Sequence, residues 1–135
     1  MTGFPLKIVT PDGLLFDGTA QQLTVRTTSG DVAILARHVN YVAPLGMGEA
    51  TVTVDGEKRY AACIGGMVSV VDGIVTLVPT TFEWAEDIDV ARAKLSEERA
   101  EKSLENKDAT DMEISLAEAR LKRALIRKNV ATRKR

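Results

Sequence analysis

Residues 49–79 read EATVTVDGEKRYAACIGGMVSVVDGIVTLVP, and the fold of everything before residue 87 turns on this stretch. Asp55-Gly56 separates EATVTV from EKRYAACI, and Asp72-Gly73 separates MVSVV from IVTLVP. A two-residue hairpin turn needs positive φ at both centres, so each Asp-Gly pair predicts a β-hairpin. Thr51, Val52, Thr53 and Val54 alternate, as do Ser69 and Val70, so one strand face is buried and the other wet. Upstream the same grammar continues: FPLKIV, Pro11-Asp12-Gly13, LLFDG, QQLTVRTT, Ser29-Gly30-Asp31, VAIL. Such spacing implies strands of about five residues joined by tight turns. The expectation is an all-β N-terminal sandwich, or flattened barrel, of eight to ten short strands.

The pattern stops between Ala85 and Asp87. All ten glycines lie between Gly3 and Gly73, all four prolines between Pro5 and Pro79, and every aromatic between Phe4 and Trp84. A composition switch of this kind marks a boundary, giving a sandwich domain over 1–86 and a helical domain over 87–135. Charge divides there too: residues 1–87 hold 5 basic and 10 acidic groups, residues 88–135 hold 13 and 9, behind a net charge of -1. At 135 residues a large enzyme with a deep cleft is not expected, and no apolar run approaches the roughly 20 residues of a membrane span. The start, MTGFPLKIVT, has no signal-peptide pattern, and Cys63 is the only cysteine, so no internal disulfide forms and a cytoplasmic location is expected.

The sandwich offers no catalytic constellation. His38 is the only histidine, which removes His-rich metal sites, and a lone loop histidine reads as solvated or capping. Cys63 follows Ala61-Ala62 in an expected strand and reads as a buried, inert thiol. Gly46-Met47-Gly48 starts like a dinucleotide loop, but the third glycine and the helix are missing. Gly65-Gly66 most simply permits a bulge or the close approach of another backbone.

From Ile88 to Lys107 the chain is rich in Ala, Leu, Glu, Lys and Arg, and Asp87 is the expected N-cap. Thr110-x-x-Glu113 has the form of a capping box and opens a second helix, so a short turn makes an antiparallel two-helix hairpin. With the turn centred near residue 109, Ser103 stands level with Ser115. The seam is mostly alanine, with Leu95, Leu104, Ile114, Leu121 and Leu125 as the large anchors. At about 25 cal/mol per Å² of buried area such a seam holds the hairpin only lightly, so a better partner surface could open it.

Arg92 and Arg99 share one helix face and Arg123 and Arg127 another, so three or four guanidiniums can converge, a geometry suited to phosphate. The plain alternative is that they are solvated or paired with Asp89, Glu98 and Glu118. From Arg120 onward there are eight basic residues and no acid, a pattern compatible with an adaptor for nucleic acid or an acidic protein. No aromatic is present there to stack on bases.

Taken in order, Pro11-Asp12-Gly13, Ser29-Gly30-Asp31-Val32-Ala33-Ile34-Leu35 leading to His38, Val42-Ala43-Pro44-Leu45, Gly65-Gly66 and Ala85-Glu86-Asp87-Ile88-Asp89 resemble the epsilon subunit family of bacterial F-type ATP synthases. The resemblance spans essentially the whole chain. One departure precedes His38, where the family usually has Gly-Ile-Leu-Pro-Gly-His and this chain has Ala33, Ala36 and Arg37. The resemblance implies a non-catalytic central-stalk subunit, peripheral at the cytoplasmic membrane face, that docks on the gamma subunit and the proton-driven c-ring. Its hairpin would extend toward the catalytic beta subunits and hinder ATP hydrolysis. Some members bind ATP through Ile/Leu-Asp-x-x-Arg-Ala, which Ile88-Asp89-Val90-Ala91-Arg92-Ala93 matches. Carried over, Glu83, Ile88, Asp89, Arg92 and Ala93 would line the base and sugar end, with Arg92, Arg99, Arg123 and Arg127 near the phosphates. ATP is then a regulatory ligand, with Mg²⁺ as its companion, no cofactor is required, and nucleic acid is not an expected partner.

Overall fold

The computed structural model describes residues 2–133. The chain forms two compact units, with the boundary between Trp84 and Ala85. In the first, eight strands make a sheet that folds over itself into a sandwich: β1 (Phe4–Thr10), β2 (Gly13–Ala20), β3 (Gln22–Thr27), β4 (Gly30–Ile34), β5 (Tyr41–Pro44), β6 (Met47–Val54), β7 (Glu57–Val71) and β8 (Ile74–Trp84). Their order is β2-β1-β8-β7-β6-β3-β4, with β5 also on β7, and only the β1–β8 pair is parallel. The core is the inward half of each alternating strand: Leu6 and Ile8, Leu23 and Val25, Ala50 and Val52, Val68 and Val70, Val75 and Leu77.

Both Asp-Gly pairs take the hairpin geometry that the sequence demands, with φ of 52 and 80 at Asp55-Gly56 and 49 and 80 at Asp72-Gly73. The expectation of uniformly short strands fails at β7, which runs 15 residues. Its first half pairs with β6 and its second with β5, so one strand serves both layers. The corner is Gly65-Gly66, at φ 69 and 100, where Gly65 N–H donates to the Gly46 carbonyl at 3.0 Å and Leu45 N–H to the Gly66 carbonyl at 2.8 Å. A Cβ on Gly66 would lie 2.1 Å from the Val78 carbonyl oxygen, so the glycine pair serves close backbone approach. Cys63 is buried beside this corner, and burial pushes its thiol up to about 12, as befits an inert side chain.

The loop after β4 keeps a left-handed turn without a glycine. Arg37 sits at φ 65, His38 N–H donates to the Leu35 carbonyl at 3.3 Å, and the His38 ring meets Tyr41 edge-on at 5.7 Å. The departure before His38 therefore leaves the loop its turn and adds backbone strain at one arginine.

The second unit opens with a 3-10 turn over Ala85–Asp87, followed by α1 (Val90–Leu104) and α2 (Asp111–Ala131). The N-cap of α1 is Asp89, not Asp87, because the 3-10 turn occupies Asp87 and delays the helix. Thr110 and Glu113 form the expected capping box, with Glu113 N–H donating to Thr110 Oγ1 at 3.2 Å and Thr110 N–H to Glu113 Oε1 at 3.4 Å. The helices pack on each other through Ala93, Ala100, Ala117 and Ala124, all buried. Two of the expected anchors are wrong: Leu95 and Leu125 are 46% and 40% exposed, since small residues already let the helices close and exclude larger ones from between them. Leu104, Ile114 and Leu121 are half-buried.

Two substitutions test this account by urea unfolding. Arg37→Gly is expected to stabilise the protein by about 1 kcal/mol by removing left-handed strain. Gly66→Ala is expected to destabilise it by about 2 kcal/mol or more, since positive φ and the carbonyl clash act together.

Candidate functional site

Each seam alanine fixes where its neighbours point. On α1, Arg92 and Arg99 immediately precede the buried Ala93 and Ala100. On α2, Arg123 immediately precedes Ala124 and Arg127 follows it by three positions. At 3.6 residues per turn, the residue before a seam position lies about 100° round the helix, and in an antiparallel pair this offset points to the same side of both helices. A residue three positions after lies only about 60° from the seam on that same side. All four arginines therefore share one flank of the hairpin. The seven-residue spacing on each helix matches Ala93 with Ala124 and Ala100 with Ala117, which brackets Arg92 between Arg123 and Arg127, while Arg99 lies about 10.5 Å along α1.

Arg92 and Arg99 are exposed, and Arg123 and Arg127 are half-buried. Among the described residues, no acidic side chain pairs with Arg92, Arg99 or Arg123, so the pairing with Asp89, Glu98 and Glu118 is not what holds them. Two exposed and two half-buried guanidiniums on one flank are side chains of the kind suited to an anion with several oxygens. The two arginines and the lysine that end the basic run at 133–135 are described only as far as Arg133; Lys134 and Arg135 lie outside the described residues.

Three letters of the Ile88–Ala93 pattern have a structural duty in starting α1. Asp89 Oδ1 accepts from Arg92 N–H at 3.0 Å, and the Asp89 carbonyl accepts from Ala93 N–H at 3.0 Å. Ile88, just before the cap, and Ala93, four positions after it, are both buried in the arrangement of a hydrophobic staple. Arg92 alone has a side chain that the helix start does not use. Glu83 belongs to the first unit, where it is half-buried in β8 opposite Ala62.

Sequence reasoning missed one pair. Lys128 Nζ donates to Glu97 Oε2 at 2.5 Å across the helices. That hydrogen bond, ahead of the lysine's charge, holds the Glu97 carboxyl below the ordinary carboxylate range. Glu97 and Lys128 each stand four positions after a seam alanine, which puts them on the flank opposite the arginines. The signal was available as two opposite charges at matching offsets. It could be read only once Ala93 and Ala124 were known to face each other.

The described residues thus make a β-sandwich unit followed by a capped helical hairpin with one basic flank. Residues 3–85 match the family described as ATP synthase, Delta/Epsilon chain, beta-sandwich domain, and residues 86–132 match ATP synthase, Delta/Epsilon chain, long alpha-helix domain. The chain is 44% identical over 135 residues to the ATP synthase epsilon chain of Ruminococcus albus, covering 99% of this chain and 100% of that one. It is 41% identical to the epsilon chain of Bacillus velezensis, covering 93% and 95%. Its fold is also similar to a chain in the Euglena gracilis mitochondrial ATP synthase, with TM-score 0.83 at 22% identity, covering 99% of this chain and 83% of that one. A second is in the central stalk/c-ring structure of Tetrahymena thermophila, with TM-score 0.66 at 14% identity and coverage of 94% and 95%. The chain belongs to the ATP synthase delta/epsilon chain family, on its epsilon branch.

The capping duty of Asp89 is separable from any duty of its charge. Asp89→Asn is expected to keep the hairpin's helicity and melting temperature, whereas Asp89→Ala is expected to destabilise it by about 1 kcal/mol in circular-dichroism melts.

Proposed function

We propose that this epsilon chain is a non-catalytic subunit of the central stalk whose sandwich docks on the gamma subunit and the c-ring and whose hairpin regulates ATP hydrolysis in response to ATP. The arrangement of Arg92, Arg99, Arg123 and Arg127 on one flank carries the regulatory half, because it offers the phosphates of a nucleotide a preformed set of charge-assisted donors. An exposed apolar patch supports docking. Met67 faces Val78 and Val71 faces Ile74 across β7 and β8, with Val42 beside them on β5, and each is 43% to 61% exposed. A contiguous patch of this kind on a sandwich face marks a protein interface. Among the described residues no helix is long and apolar enough to cross a membrane, which fits a peripheral place at the cytoplasmic face of the assembly.

In the closed hairpin, Arg92, Arg123 and Arg127 bind the phosphates, with Arg99 reaching the outermost one, while the buried Ile88 and Ala93 shape the apolar end. A Mg²⁺ that accompanies ATP is carried chiefly by the nucleotide's own phosphates. With the hairpin extended, Arg120, Lys122, Arg123, Arg127 and Lys128 lie against acidic surfaces of the catalytic beta subunits. Ligand and inhibitory partner thus compete for Arg123 and Arg127. ATP at ten times its dissociation constant favours the closed state by about 1.4 kcal/mol, roughly tenfold in population.

Isothermal calorimetry on the whole protein tests this reading. ATP is expected to bind without phosphate release, and Arg92→Ala to weaken binding about ten- to a hundredfold. Lys122→Ala, two positions before Ala124 and so on the outward face of α2, removes the same charge and is expected to change affinity less than about threefold. Equal losses in the two variants would remove the site.

A further inference from the structure

We propose that the Glu97–Lys128 ion pair fixes the register of the hairpin and so positions Arg123 and Arg127 against Arg92; the part concerning ATP rests on the reading above. An alanine seam is smooth. Ala93, Ala100, Ala117 and Ala124 provide no large knob; of the larger aliphatics on the two helices Val130, near the end of α2, is buried, Leu104, Ile114 and Leu121 are half-buried, and Leu95, Leu116 and Leu125 stand 40% to 53% exposed, so apolar packing locks one alignment only lightly. A slide of α2 by seven residues, about 10.5 Å, would set Ala131 against Ala93 and Ala124 against Ala100, yet carry Arg123 and Arg127 away from Arg92.

What opposes the slide is charge. Side chains on a helix lean toward its N-terminus, so in an antiparallel pair Lys128 leans back to the level of Ala124 and Glu97 to the level of Ala93. These levels coincide, and the two heads meet at 2.5 Å although the residues are 31 positions apart. The Glu97 side chain is only 18% exposed and that of Lys128 35%, so in a shifted register each would be left as a partly buried charge without its partner. The pair lies on the flank away from the arginines. Glu97 and Lys128 are therefore positioning residues, acting on the phosphate site through the alignment of α2.

The sign of one mutant separates alignment from simple electrostatics. Glu97→Lys makes the hairpin more positive by two charges, which by itself tightens ATP binding; loss of register weakens it, by about threefold or more. Lys128→Glu is expected to weaken binding too, the double variant Glu97→Lys with Lys128→Glu to recover it to within about twofold, and Lys128→Arg to retain it. Spin labels on the full-length protein at Glu98→Cys and Asn129→Cys, both exposed, read the register directly. One narrow distance is expected in the parent and the double variant, and a shifted or broadened one in each single reversal. If a reversal fails to fold by circular dichroism, Glu97→Gln takes its place, with the same direction of change. An unchanged label distance in the single variants, or no recovery in the double one, overturns the proposal. If the parent protein binds no ATP, the regulatory reading fails alone, and the label distances still decide the register.

Discussion

Four buried alanines govern the second half of this molecule. Because Ala93, Ala100, Ala117 and Ala124 present only methyl groups, the backbones of α1 and α2 approach closely, and the charged side chains beside them are turned to one flank or the other. That single constraint puts the arginines on one side and the Glu97–Lys128 pair on the opposite side. It also leaves Leu95, Leu116 and Leu125 facing outward, where a well-filled seam would have buried them. Weak burial energy and a fixed distribution of charge thus have the same origin.

The sandwich shows the opposite economy. Its core is continuous, and β7 joins the two layers by turning at Gly65-Gly66, where Gly66 approaches the Val78 carbonyl too closely for any Cβ. The same strand pair, β7 and β8, carries the exposed Met67, Val71, Ile74 and Val78 on its outer face. The frame with the continuous core therefore presents an exposed apolar face, while the lightly held hairpin carries the basic one. Arg59, 3.7 Å over the Trp84 ring, adds a cation–π contact where β8 ends.

The pattern Ile88-Asp89-x-x-Arg92-Ala93 has two layers of meaning. Cap and staple account for Ile88, Asp89 and Ala93 without a ligand, since each satisfies or covers the first turn of α1. The Arg92 side chain has no such duty and stays exposed on the flank that α2 shares.

The sequence by itself determined the elements. Asp55-Gly56 and Asp72-Gly73 dictate hairpins because their residue types adopt positive φ readily, and Thr110 with Glu113 dictates a helix start because the bonds are local. It also determined which arginines share a helix face, a matter of spacing alone. What it did not determine is whatever depends on neighbours distant in the chain. The start of α1 at Asp89 instead of Asp87 follows from a 3-10 turn with no local signature, and the long, shared β7 follows from its pairing with both β6 and β5. Glu97 and Lys128 are ordinary surface charges until Ala93 faces Ala124. Only the packing of one helix on another decides that two side chains 31 positions apart meet, because tertiary contact is set by which residues are small enough to lie between helices, and that choice is made jointly by both.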